Sequence, residues 1–266
     1  MAATTVEILS ARRRSSTAAP MLDAIEAAAR AAGDEVILTE TYRGGSDWLV
    51  LFGVGAEAHA AARAAHVPRG THAILFDLGY FGRRKGPDGF LRVSIDRDHP
   101  QHLLDRAPDD GGARWAEHGI ALRDDADPAG PIILVGLGAK SRIYLEAEDW
   151  ELDKLAELER RFPDRRIIHR PKPGQEFRRL RCDRDETTPI DDLLRGASLV
   201  VARHSNVAAE AVVAGVPFEA EDGAAAWLNG REYNLANRRE FLHRLAWFQW
   251  RAAEAPQAWQ FLKGLA

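Results

Sequence analysis

The stretch that most narrows what this chain can fold into is residues 191–222, DDLLRGASLVVARHSNVAAEAVVAGVPFEAED. A short helix over Asp191–Arg195 leads into an apolar strand, Ser198–Ala202, which stops at the polar cluster Arg203-His204-Ser205-Asn206. An alanine-rich helix follows, with Glu210 in its second turn, and ends at Ala214-Gly215 before extended Val216-Pro217-Phe218. Strand, turn, helix, strand is a unit of parallel α/β sheet, because parallel neighbours need a crossover. A helix start offers unpaired N–H groups and partial positive charge, a seat for phosphate. Glu210, one turn in, shares a side with Asn206 and suits a ribose diol. Serine and asparagine are also ordinary helix caps. The residues alone leave both readings open.

The rest of the chain alternates in the same way. Val6–Leu9, Glu35–Leu38, Trp48–Phe52 and Ala73–Phe76 read as strands, Pro20–Ala32 and Glu57–Ala65 as helices, and Phe90–Ile95 as extended. Gly53-Val54-Gly55 lacks the third glycine of a dinucleotide fingerprint and reads as a tight turn. Residues 123–131, RDDADPAGP, are polar with two prolines and a glycine, and read as a linker. Beyond it lie a strand at Ile132–Val135, a helix over Asp149–Phe162 and a strand at Arg166–His169. In the tail, Phe241, Leu242, Leu245, Phe248 and Trp250 recur on a helical period, Pro256 interrupts, and Trp259, Leu262 and Leu265 form a second short helix.

Length and charge bound the function. At 266 residues the chain suits two α/β domains of about 100–150 residues each. A net charge of -4 argues against a chain-wide electrostatic nucleic-acid binder. Basic residues are local: Arg12–Arg14, Arg83–Lys85, and nine arginines within 160–184, the last reading as a solvated, charge-paired surface. One cysteine, Cys182, leaves no internal disulfide or cysteine-based zinc site. No run of about 18–20 apolar residues and no signal-peptide order point to a cytoplasmic protein without a membrane span. The histidines and carboxylates show no metal-ligand spacing. Gly136-Leu137-Gly138-Ala139-Lys140-Ser141 follows a strand, yet a Walker run needs glycine where Ala139 and Leu134 stand.

The run LVVARHSNVAAEAVVAGVPF resembles the donor-binding segment of GT-B glycosyltransferases, matching it at Ser205, Asn206, Glu210, Gly215 and Pro217 over about thirty residues. That resemblance implies an α/β GT-B-like fold: two doubly wound parallel-sheet domains facing a cleft, with C-terminal helices crossing back to the first domain. It assigns residues 1–125 to the acceptor side, 130–237 to the nucleotide sugar, and 238–266 to the bracing helices. The implied donor site comprises Gly138, Lys140, Ser141, Arg170, Lys172, His204, Ser205, Asn206 and Glu210. Lys172 stands where many relatives carry the histidine of an RxHP-like run. The co-substrate implied is a nucleotide sugar of the UDP type, transferred as a hexose without a metal.

In the first half, Asp77 ends a strand and precedes Gly79, Tyr80 and Gly82, which suits a general base for an acceptor hydroxyl. His99 and Asp47 are the runners-up, and Asp77 also fits a turn cap. Tyr80, Arg83, Arg84 and His99 complete the acceptor-side expectation. The tail also resembles small phage glycosyltransferase-like proteins, of the form LAxxQW…E…W. With the basic triplets, this makes 5-hydroxymethylcytosine in phage DNA the expected acceptor, stacked on Tyr80 or Phe81 after extrusion. A carbohydrate or lipid-linked acceptor, a non-catalytic nucleotide-sugar binder and an epimerase are the alternatives.

Overall fold

A computed structural model of the chain describes residues 4–10, 15–53, 57–82, 88–144, 147–172 and 179–265, apart from the side chains of 140, 143 and 144. The chain divides into two compact units, residues 1–114 with 243–266, and residues 115–242. The elements run β1 (Thr5–Leu9), α1 (Ala19–Ala31), β2 (Glu35–Thr39), β3 (Trp48–Phe52), α2 (Glu57–His66), β4 (His72–Leu78), β5 (Leu91–Ile95) and α3 (Ala113–Ala116). Next come β6 (Ile132–Val135), α4 (Ala139–Tyr144), α5 (Trp150–Arg161), β7 (Ile167–Arg170), β8 (Asp183–Arg184), α6 (Ile190–Leu194), β9 (Leu199–Ala202), α7 (Val207–Ala214) and β10 (Phe218–Ala220). Last are α8 (Leu235–Ala246), β11 (Gln249–Trp250) and α9 (Ala255–Gly264). Among the described residues no helix is long and apolar enough to cross a membrane.

The first sheet has the order β11-β5-β4-β3-β1-β2. Its strands β1 to β4 are mutually parallel, β5 pairs antiparallel with β4, and β11 pairs antiparallel with β5. WLVLF forms β3 because a central parallel strand is covered on both faces, and all five residues are buried. The crossover from β2 to β3 is too short for a helix. It is held by Glu7 in mid-β1, only 1% exposed, which accepts the N–H groups of Arg43 (2.6 Å) and Gly44 (3.2 Å). The buried carboxylate and these amides satisfy one another, so the strand anchors the loop.

The C-terminal segment returns to this first unit. Helix α9 packs on α1, burying Ala258, Trp259 and Leu262. Trp259 donates its indole N–H to Asp34 Oδ2 (2.8 Å), and Lys263 Nζ reaches Asp34 Oδ1 (2.7 Å). The helical period expected through Trp250 ends early: α8 stops at Ala246, and Gln249-Trp250 pairs with Arg92 and Leu91. Two side-chain demands override the period. The Gln249 carboxamide accepts Tyr80 N–H (2.6 Å) and Phe81 N–H (3.0 Å), and Arg114 donates to the Ala246 and Gln249 carbonyls while stacking 3.7 Å from the Trp250 ring. Pro256 lies in the first turn of α9 and starts that helix instead of breaking one.

The second sheet, β10-β9-β6-β7-β8, is parallel throughout. Helix α5 sets Leu155 and Leu158 against Ile132, Leu134, Ile167 and Val201. Full burial of such side chains contributes about 1.5–3 kcal/mol each. Helix α7 is built of alanine and valine apart from Glu210, with six buried residues, so it lies flat against its sheet. It ends where Gly215 turns left-handed (φ 78°), and Val216 N–H caps the Ala211 carbonyl at 3.0 Å. A Cβ at Gly215 would lie 2.5 Å from the Arg123 carbonyl oxygen. The polar stretch 123–131 runs along this helix end: Arg123 and Asp125 donate N–H to Val213 and Ala214, both at 2.8 Å.

Candidate functional site

The second sheet reverses direction between β6 and β9, because the chain winds outward from β6 through β7 to β8 and then returns to β9 and β10. Doubly wound sheets bind ligands beyond the carboxyl ends of the strands at that reversal. The segments there are Gly136–Ser141 after β6 and Arg203–Asn206 after β9, with Arg170 and Lys172 closing β7 beside them. The donor-side residues expected from sequence therefore share one edge of one sheet. The Lys140 side chain lies outside the described residues.

The local chemistry differs from residue to residue. Ser205 Oγ accepts Val207 N–H at 3.3 Å in a tight hydroxyl turn. Asn206 occupies the cap position of α7 without a side-chain cap bond, and its carbonyl accepts Glu210 N–H at 3.1 Å. Glu210 is half-buried. Gly223, after β10, adopts φ 92°, which disfavours a side chain, and a Cβ there would stand a tight 3.1 Å from the His204 backbone. Lys172 is exposed. Arg170 also anchors a neighbouring loop. Its guanidinium bonds the carbonyl (3.1 Å) and carboxylate (3.2 Å) of Asp185, fixing the loop after β8. Other arginines of the 160–184 run are paired likewise, Arg161 with Glu219 (2.6 Å) and Arg166 with Asp183 (2.7 Å).

Beneath the Gly136–Gly138 loop lies a buried ionic cluster that the sequence reading missed. Glu151, 2% exposed, accepts Leu137 N–H at 2.5 Å, pairs with Arg142 Nη2 at 2.7 Å, and stands 3.2 Å from His169 Nε2. Burial alone would raise the Glu151 carboxyl, but His169, the Leu137 amide and Arg142 together hold it below the usual carboxylate range. A signal was present: Glu151, Leu155 and Leu158 lie at i, i+4 and i+7, so the buried stripe of α5 passes through a carboxylate. Nearby, Trp150, Lys154, Val201, Phe218, Glu219 and Glu221 line a cavity of about 260 Å³. Trp150 donates its indole N–H to Glu221 at 2.8 Å.

In the first unit, Asp77 closes β4 and faces Arg92 across the β4–β5 ladder, with Nη2 3.2 Å from Oδ2. Arg92 Nη1 also reaches His99 Nδ1 (2.6 Å), to which the Tyr80 hydroxyl bonds at 2.8 Å. This brings Asp77, His99 and Tyr80 into one network. It also corrects the expectation of a stacking platform. Tyr80 and Phe81 are 1% and 6% exposed, packed there by Gln249, and present no ring face to a ligand. His99 is likewise buried. Asp47 precedes β3, at the amino end of the strands, where it accepts Thr5 N–H at 2.8 Å. Arg83, Arg84 and Arg12–Arg14 lie outside the described residues.

No family profile matches the chain, and no curated protein matches it by sequence. Among solved structures it is similar to a Thermosulfurimonas dismutans KpsC beta Kdo 2,4 transferase, with a TM-score of 0.57 and 13% identity over 94% of this chain and 92% of that one. A second is the T. dismutans KpsC beta Kdo 2,7 transferase, with a TM-score of 0.51 and 14% identity over 97% and 99%. At such identity the likeness is one of fold. The chain has the mixed α/β, parallel-sheet fold of GT-B glycosyltransferases.

Proposed function

We propose that the chain is a glycosyltransferase that moves a sugar from a nucleotide-sugar donor to a hydroxyl of a carbohydrate acceptor. The observation that carries this reading is the reversal point of the second sheet, where the glycine loop after β6 and the Arg203–Asn206 turn after β9 share one carboxyl edge. Glu210 accepts the ribose hydroxyls. Ser205, Asn206, Lys140 and Ser141 receive the phosphates, whose charge grows as the glycosidic bond to the leaving group breaks. The acceptor oxygen bonds to the anomeric carbon as its proton passes to Asp77. No metal enters this scheme.

Two considerations favour a carbohydrate over DNA. The fold is shared with transferases described as acting in Kdo transfer, and the aromatic rings assigned to an extruded base are core residues. The test incubates the full chain with a panel of nucleotide sugars, UDP-hexoses and nucleotide-activated Kdo included, and reads products by mass spectrometry. Oligosaccharide acceptors and hydroxymethylcytosine DNA form separate arms, with and without a chelator. A glycosyl mass shift on the oligosaccharide, unaffected by chelation, is expected. A shift on DNA alone reassigns the acceptor, isomerised donor without transfer supports an epimerase, and donor binding without chemistry supports a binding module.

A further inference from the structure

We propose that Glu151 is a positioning residue for the donor phosphates, holding the Gly136–Gly138 loop from below and so fixing the course of the backbone that leaves it. The inference rests on the donor reading above and deepens it. Gly136 N–H still belongs to the strand ladder, donating to the Arg170 carbonyl at 2.8 Å. The next amide, Leu137, leaves the ladder and donates to Glu151 Oε1. That bond fixes the peptide plane from which the rest of the loop departs. Arg142 closes the other side, since its N–H reaches the Gly138 carbonyl at 3.1 Å while its guanidinium pairs with the same carboxylate. The packing leaves no slack: a Cβ at Gly136 would stand 2.9 Å from Pro171 Cα, 3.0 Å from His169 Nε2 and 3.3 Å from Glu151 Oε1.

The cluster requires a carboxylate in particular. An ionised carboxylate only accepts hydrogen bonds, and here an amide and a guanidinium converge on Oε1 with an imidazole nitrogen beside Oε2. A glutamine would present an NH2 group into this buried cage and orphan at least one neighbour. Glu151 is remote from the reacting atoms in this scheme and acts through the loop.

Calorimetry of the full chain with UDP, GDP and CMP, each against its parent nucleoside, tests the proposal. For the nucleotide that wild type binds, Glu151→Gln is expected to lose about tenfold or more in affinity, the scale of a charged hydrogen bond. The phosphate-free nucleoside should change little. Donor KM should rise while acceptor KM holds, and Glu151→Asp, which keeps the charge on a shorter arm, should recover part of the loss. If Glu151→Gln does not fold, Glu151→Asp carries the comparison. Unchanged nucleotide affinity, or equal losses for nucleotide and nucleoside, overturns the positioning role. Wild type binding none of the three nucleotides overturns the donor reading beneath it.

Discussion

Asp77 is a carboxylate at a strand end with a guanidinium beside it, and its proposed duty can be separated from that pairing. Asp77→Asn keeps the size and a hydrogen bond to Arg92, yet an amide takes no proton at neutral pH. Transfer should fall about 100- to 10,000-fold, the usual cost of losing a general base, with nucleotide affinity intact. Steady-state kinetics giving near-normal kcat would make Asp77 a ladder residue only. His66 makes a second prediction at this scale. It is fully buried, bonded through Nδ1 to the Tyr42 hydroxyl (3.1 Å), and burial lowers its pKa. Above pH of about 6.5 both folded and unfolded states leave the ring neutral. Below that the unfolded chain takes up a proton that the folded one refuses. Stability should then fall by about 1.4 kcal/mol per pH unit until the lowered folded pKa is reached. Thermal unfolding between pH 7.5 and 5.5 should show a smaller decline in His66→Gln, and an identical decline would refute this.

Helices and strands were legible where one physical rule dominated. The all-apolar WLVLF and the Leu155–Leu158 stripe follow directly from burial. Strand β11 was not legible, because Phe248 and Trp250 fit a helical period as well as an alternating one, and the deciding partners, Arg114 and Tyr80, lie far away in sequence. The two-residue β8 is too short to leave a pattern. In the site, the turn after β9 could be read from its polar residues, whereas Glu151 was masked as an ordinary helical acid. Helix α7 makes the element-scale prediction. Arg238, 4% exposed, donates to the Val212 carbonyl at 2.9 Å and to Asp124 Oδ1 at 2.6 Å, capping the C-terminal end of α7. Arg238→Met removes these charged hydrogen bonds and should cost about 1.5–3 kcal/mol. Denaturant unfolding would contradict the capping role if the loss were below about 0.5 kcal/mol.

At the scale of the whole chain, the two sheets are wound differently around a similar plan. The first reverses between β1 and β3, the second between β6 and β9. Each reversal is followed by a helix with a carboxylate in its first turn, Glu57 in the first unit and Glu210 in the second, and the proposed donor site takes the second because Ser205 and Asn206 stand directly before the Glu210 helix there. Titrating the full chain and Glu210→Ala calorimetrically with the nucleotide of the preferred donor tests this assignment most directly. The account expects saturable binding by wild type and a loss of about 1–3 kcal/mol in the variant, with its fold and melting behaviour unchanged. Equal affinity in the two proteins would contradict it.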